Sequence, residues 1–284
     1  MKVWRRACVA FLLLCLLPGM PLQAKLFVPD NEPWPFWQVS DAASIVVVDH
    51  SEWQRLLNAY LLTNTADGIF RFNYASVTAS DRQSLVRYID ELTARDPRGL
   101  THPEQRAYWI NLYNALTVEV VLRRYPVTSI RKIPGGLFDA GPWDEPYIDV
   151  AGEPLTLNDI EHRILRPQWR DPRIHYALNC ASLGCPNLAA QAFTAANTEL
   201  LLELSAAAFI NHPRGVSVVE KRVTASAIYD WFDTDFGTDK GELLQHWLRY
   251  ASPELAAALG TNADQLRFKY GYDWALNSGA SAKE

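Results

Sequence analysis

The sequence predicts an α+β fold: a single mixed domain in which a central buried helix packs on a small, mostly antiparallel sheet with hairpins. Three observations carry this. The segment RAYWINLYNALTVEVVL is apolar on nearly every side, as in a helix at the middle of a fold. Short alternating segments bounded by turn formers recur after it, as in hairpins. No internal repeat and no linker interrupts residues 51–277, so all the elements are assigned to one domain. Composition agrees, with 49% apolar and 21% charged residues over 284 positions, enough for a sizeable core.

The elements follow in order. Residues 25–37 are rich in Pro and aromatics and read as an extended N-terminal arm, assigned as far as residue 50. Ser51 opens a helix with Gln54 placed for a capping box, and Trp53, Leu56, Leu57, Tyr60 and Leu61 make its apolar face. Phe70, Phe72 and Tyr74 alternate as a short strand. Ser80, with Gln83 three later, starts a second helix whose face is Leu85, Tyr88, Ile89 and Leu92; Asp96-Pro97 ends it. The longest helix spans residues 103–125, capped by Thr101 or His102 and stopped before Pro126. Inside it Asn111 and Asn114 share a stripe with Ala107 and Val118. A buried amide without partners costs about 1–3 kcal/mol, so both amides must be bonded, either tying down a loop or flooring a site.

Residues 134–142 form a long loop, and a hairpin over residues 148–157 follows. Thr156 and Asp159 cap a helix carrying Ile160, Glu161, His162, Ile164 and Leu165. Residues 173–188 (RIHYALNCASLGCPNL) read as a strand entering a tight polar loop. Ile174, Tyr176 and Leu178 take one face, and His175, Ala177 and Asn179 the other. Cys180 then stands at the sheet rim, and Cys185 precedes a Pro-led helical turn over residues 187–193 whose positive end would lower a thiol's pKa. A Leu/Ala-rich helix over 194–211, a hairpin turning at Glu220-Lys221, and helices near 226–232, 242–250 and 254–259 come next. Leu266, Phe268, Tyr270 and Tyr272 alternate in a closing strand, and residues 278–284 are a loose tail.

The first 24 residues read as an export signal: Lys2, Arg5 and Arg6, an apolar run over residues 7–17, then Leu22-Gln23-Ala24 as cleavage site. The run is too short to span a bilayer comfortably, and no later stretch of the mature chain spans one. The expected location is exported, periplasmic or secreted. Removing the three basic residues takes the net charge from −5 to −8. An acidic chain without a basic run is unsuited to binding nucleic acid. Cleavage also leaves Cys180 and Cys185 as the only cysteines, and an oxidising compartment would allow them to form a disulfide.

Five blocks together resemble the domain of unknown function 547 family: RAYWINLYNALTV from Arg106, LTLNDIEHRILR from Leu155, RIHYALNCASLGCP from Arg173, ASAIYDWFDTDFG from Ala225 and YDWALN from Tyr272. The resemblance implies one domain and points to the same polar residues. It implies no particular reaction, because the family's name records that none was assigned.

Three kinds of chemistry fit the residues. In the first, a cysteine hydrolase or acyl transferase of papain- or transglutaminase-like logic uses Cys180 or Cys185 as nucleophile and His175 or His162 as base. Glu161 is an orienting group, and the substrate is an unknown ligand or a peptide-like chain. Asn111, Asn114, Asn179, Ser182 and Arg106 complete the candidate binding set. An extended strand would put His175 about 16 Å along the chain from Cys180, which favours Cys185 as its partner. In the second, an intraloop disulfide staples a binding module with no catalysis. In the third, Cys180, Cys185, His162 and His175 hold zinc, although the paired-histidine half of such sites is missing; the sequence is therefore read as carrying no metal and no cofactor. Tyr229, Asp230, Trp231, Asp235, Tyr272, Asp273 and Trp274 also place carboxylates beside aromatics, which suits a sugar cleft and equally a packed core.

Overall fold

A computed structural model describes residues 31–135, 141–260 and 265–279. The signal segment, the first residues of the arm, the middle of the 134–142 loop and the last five residues lie outside them. Helices α1 (Ser51–Tyr60), α2 (Ala79–Thr93) and α3 (His102–Arg124) come first, with a two-stranded ribbon of β1 (Leu61–Leu62) and β2 (Arg71–Phe72) between α1 and α2. Hairpin β3 (Ile148–Val150) and β4 (Glu153–Leu155) leads into a π-helix (Asp159–Leu165) that continues as α4 (Arg166–Trp169). The short α5 (Ile174–Ala177) and long α6 (Thr198–Ile210) follow. Hairpin β5 (Val216–Val219) and β6 (Arg222–Ser226), helices α7 (Ile228–Trp231), α8 (Asp233–Phe236), α9 (Lys240–Tyr250) and α10 (Pro253–Gly260), and β7 (Arg267–Gly271) close the chain. β6 pairs antiparallel with β5 and parallel with β7. This is an α+β domain, and among the described residues no helix is long and apolar enough to cross a membrane.

The central helix is where its all-round apolarity placed it: every residue from Glu104 to Leu122 is buried. Thr101 caps it through the Glu104 N–H, and Arg123 and Arg124 sit at the negative end of its dipole. It packs against α2, the π-helix and α6. The arm is packed rather than loose where it is described. Trp37 lies edge-on to Trp109 with ring centroids 5.2 Å apart, and the Val48 N–H donates to Glu104 Oε1 at 2.7 Å. A second aromatic core gathers Tyr176, Phe209, Tyr229, Phe236 and Trp247 beneath the β5–β6–β7 sheet.

Three local expectations are corrected. Residues 174–177 are a helical turn, not a strand, started by Asp171 Oδ1 accepting the Arg173 N–H. The apparent alternation misled because Ile174, His175, Tyr176 and Ala177 are all buried; a segment enclosed on every side has no face for a period to report. Residues 187–193 are not helical, so Cys185 meets no helix end. The caps of the first two helices are also displaced by one or two residues, to His50 and to Thr78, whose side chain accepts from the Asp81 N–H. Gln54 reaches outward to Ala190 and Ala192 instead of back to Ser51.

Candidate functional site

After α5 the chain turns extended at Leu178 and delivers Cys180 to a half-buried position, while Cys185 is buried. Both are free thiols. Asn114 positions this stretch from the central helix: its Nδ2 donates to the Ala177 carbonyl at 2.9 Å and its Oδ1 accepts the Asn179 N–H at 2.9 Å. One helical turn earlier, Asn111 bonds both backbone groups of Phe193 in the same way, at 2.7 and 3.0 Å. The two amides therefore act as tethers for backbone that would otherwise be buried and unpaired. Asn179 completes the loop, accepting from the Ala181 N–H and donating to the Pro186 carbonyl.

The loop doubles back at Ala181, which holds φ +57°, and is pinned to the segment after β7. The Gly184 N–H donates to the Asp273 carbonyl at 2.8 Å and the Leu183 N–H to that of Ala275 at 2.8 Å. Gly184 is required by this close approach: a Cβ there would lie 2.7 Å from the Asp273 nitrogen and 2.9 Å from its oxygen. The contact brings Tyr272 to the thiols. Its hydroxyl lies 2.9 Å from Cys180 Sγ, and Ser182 Oγ lies 3.2 Å from Cys180 Sγ and 2.9 Å from the Tyr272 hydroxyl. Cys185 Sγ stands 3.1 Å from Cys180 Sγ and accepts the Cys180 N–H at 3.0 Å.

These contacts split the two thiols electrostatically. The hydrogen bond with Cys185 leads the effects that lower the Cys180 pKa, with Ser182 and Tyr272 adding to it against burial. Burial and the neighbouring Cys180 sulfur push the Cys185 thiol well up. Burial and the two sulfurs also raise the Tyr272 phenol well above its usual range, so it stays protonated as a donor.

The histidines form a separate, adjoining cluster. His175 Nε2 bonds Asp235 Oδ2 at 2.7 Å, its Nδ1 lies 3.5 Å from Glu161 Oε1, and its ring stacks on Phe232. Arg166 grips Asp235 with two bonds, at 2.6 and 3.1 Å, and also lies 3.1 Å from His162 Nδ1. Burial pushes the His175 imidazole down, but the bonds to Asp235 and Glu161 overcome it and raise its pKa above the usual value. Burial works to raise the Asp235 carboxyl, and His175 and Arg166 hold it far below its ordinary range. Glu161 is likewise lowered against burial, by the charges of His162, His175 and Arg166. Burial takes His162 the other way, down to about 4.

The expected thiol–imidazole contact is therefore absent: among the described residues neither sulfur is hydrogen-bonded to a histidine ring. A cavity of about 340 Å³ opens beside Arg166, Arg170, Asp171, Thr234 and Asp235, and neither cysteine lines it. Tyr113 stands between the clusters, its phenol raised by burial and by the charges of Glu161, Cys180 and Cys185. Among the described residues no three His, Cys, Asp or Glu side chains are set to hold a metal ion. Arg106 is elsewhere, paired with Asp171 and Glu199.

The residues that sequence reading missed in this role are Tyr272, which it placed among core or sugar-binding aromatics, and Arg166. Nothing in the spacing announces that Tyr272 meets a thiol 92 positions earlier.

Residues 97–210 match the family model described as Protein of unknown function, DUF547, so over this segment the chain is similar to the domain of unknown function 547 family. The match takes in the central helix, the π-helix, the thiol loop and α6; Asp235 and Tyr272 lie beyond it. No curated protein and no solved structure matches the chain.

Proposed function

We propose that the chain is a thiol-dependent hydrolase or acyl transferase with Cys180 as its nucleophile. The supporting observation is the half-buried Cys180 sulfur, held within 2.9 Å of a phenol that stays protonated. In this reading oxygen donors take the place that imidazole holds in papain-like enzymes. Tyr272 and Ser182 stabilise the thiolate by hydrogen bonding. The thiolate attacks the carbonyl of an ester or peptide-like substrate. Tyr272 gives its proton to the leaving group as the acyl-thioester forms, and water or an acceptor then releases the acyl group. His175 is a positioning residue, locked between Asp235 and Glu161 behind the thiol loop. The export reading stands with this proposal, and N-terminal sequencing of protein from the expressing cell is expected to begin at Lys25.

An activated ester tests the reaction. Reduced protein is expected to release one equivalent of leaving group in a burst, with the acyl group found on Cys180 by peptide mapping; Cys180→Ser abolishes the burst. Acylation elsewhere, or an unchanged burst in Cys180→Ser, ends the proposal. Tyr272→Phe removes a donor to a charged sulfur, worth about 1.5–3 kcal/mol. The pH midpoint for Cys180 alkylation is therefore expected to rise by about one to two units, while the thermal melt moves little.

A further inference from the structure

The hydrolase reading uses one thiol and leaves the second unexplained. Cys185 is buried, 4% exposed, so substrate cannot reach it directly. Yet its sulfur stands 3.1 Å from that of Cys180, and a disulfide needs about 2.05 Å. The backbone imposes this proximity. Ala181 is in the left-handed region, the Cys185 N–H donates to the Ser182 carbonyl at 3.2 Å, and Gly184 is fixed against Asp273. Closure therefore asks the two sulfurs to approach by about 1 Å. The surroundings are asymmetric as well. Cys180 is half-buried among hydroxyl groups, and Cys185 is buried, with Cys180 and the Leu178 carbonyl against its sulfur.

We propose that Cys180 and Cys185 are a thiol–disulfide exchange pair, Cys180 attacking and Cys185 resolving, that takes disulfide-bonded substrates. Cys180 thiolate attacks one sulfur of a substrate disulfide, forming a mixed disulfide and expelling the other sulfur as a thiolate. Cys185 then gives up its proton and attacks Cys180 Sγ, closing the Cys180–Cys185 bond and expelling the second substrate thiolate. The dithiol is oxidised by two electrons, the substrate disulfide is reduced to two thiols, and the two protons of the dithiol end on those thiols. The burial of Cys185 makes the order of attack one-way. This activity stands apart from acyl transfer, since it needs the second sulfur and no leaving-group acid.

The test uses oxidised glutathione on the reduced full chain, read by intact mass and peptide mapping. The native protein is expected to reach the Cys180–Cys185 disulfide with only a trace of glutathione adduct. Cys185→Ser is expected to accumulate one glutathione on Cys180; the serine hydroxyl still accepts the Cys180 N–H, and an unchanged thermal melt confirms the fold. Native protein that stops at a glutathione adduct with Cys185 free overturns the proposal. So does a folded Cys185→Ser variant that forms no adduct. Acylation by the activated ester is read on the same reduced native sample: exchange without acylation removes only the hydrolase reading, and acylation without exchange removes only this one.

Discussion

Asp235→Asn is expected to lower the stability of the domain by about 3 kcal/mol, because it breaks a buried ion pair on one side and leaves the other charges in place. Asp235 faces both His175 and Arg166, which are 2% and 4% exposed in their side chains. Removing its charge leaves an imidazolium with Glu161 alone at 3.5 Å, and a guanidinium without its bidentate partner. For a domain of this size the loss corresponds to a melting temperature lower by about 6–12 °C. The pH dependence carries the sign of the shifts. His175 is raised in the fold, so its contribution is full below the unfolded value of about 6.5 and is lost as pH rises through the folded value. Asp235 and Glu161 are lowered, so their contributions are present above about pH 4 and are lost as pH falls through their folded values. The gap in melting temperature between native protein and Asp235→Asn is therefore expected to be widest between about pH 4 and 6.5 and to narrow on either side. A gap that is flat in pH would detach His175 from Asp235.

Asn114→Ala is expected to cost about as much, roughly 3 kcal/mol, and to damage the thiol site as well. It orphans the Ala177 carbonyl and the Asn179 N–H together, inside the fold and one residue before Cys180. Each group left unpaired costs about 1–3 kcal/mol, and alanine also leaves a void. Asn114→Asp is expected to do nearly as badly, since it keeps the acceptor for Asn179 and sets a carboxylate against the Ala177 carbonyl. Thermal melts measure the first effect and Cys180 alkylation the second. A stable Asn114→Ala protein with native alkylation kinetics would mean that the tether is dispensable.

Sequence reading reached the frame of the molecule where one physical cue was decisive. The helix of residues 102–124 is apolar on all sides and capped at Thr101, so both its place and its limits were legible. The two hairpins were legible from their turns, including the left-handed Glu220. Asn111 and Asn114 were legible as amides that must find partners, and tying down backbone was one of the two roles foreseen. The failure at residues 174–177 has the opposite cause. Uniform burial erases periodicity, so a helical turn and a strand leave the same trace. That error carried into the site, because it placed Cys180 on a sheet edge and His175 on the strand leading to it. The real partner of Cys180 arrives from the far end of the chain through a backbone contact at Gly184, and local spacing holds no record of such a contact.

The account rests on the Cys180 thiol ionising more readily than a free cysteine, held by a phenol, a hydroxyl and a second thiol. The most direct measurement is the rate of Cys180 alkylation by iodoacetamide in the reduced native protein as a function of pH, with the modified site read by mass spectrometry. A midpoint below the free-cysteine value of about 8.5, with Cys185 unmodified, is the predicted result. A midpoint at or above that value, or preferential modification of Cys185, would contradict it.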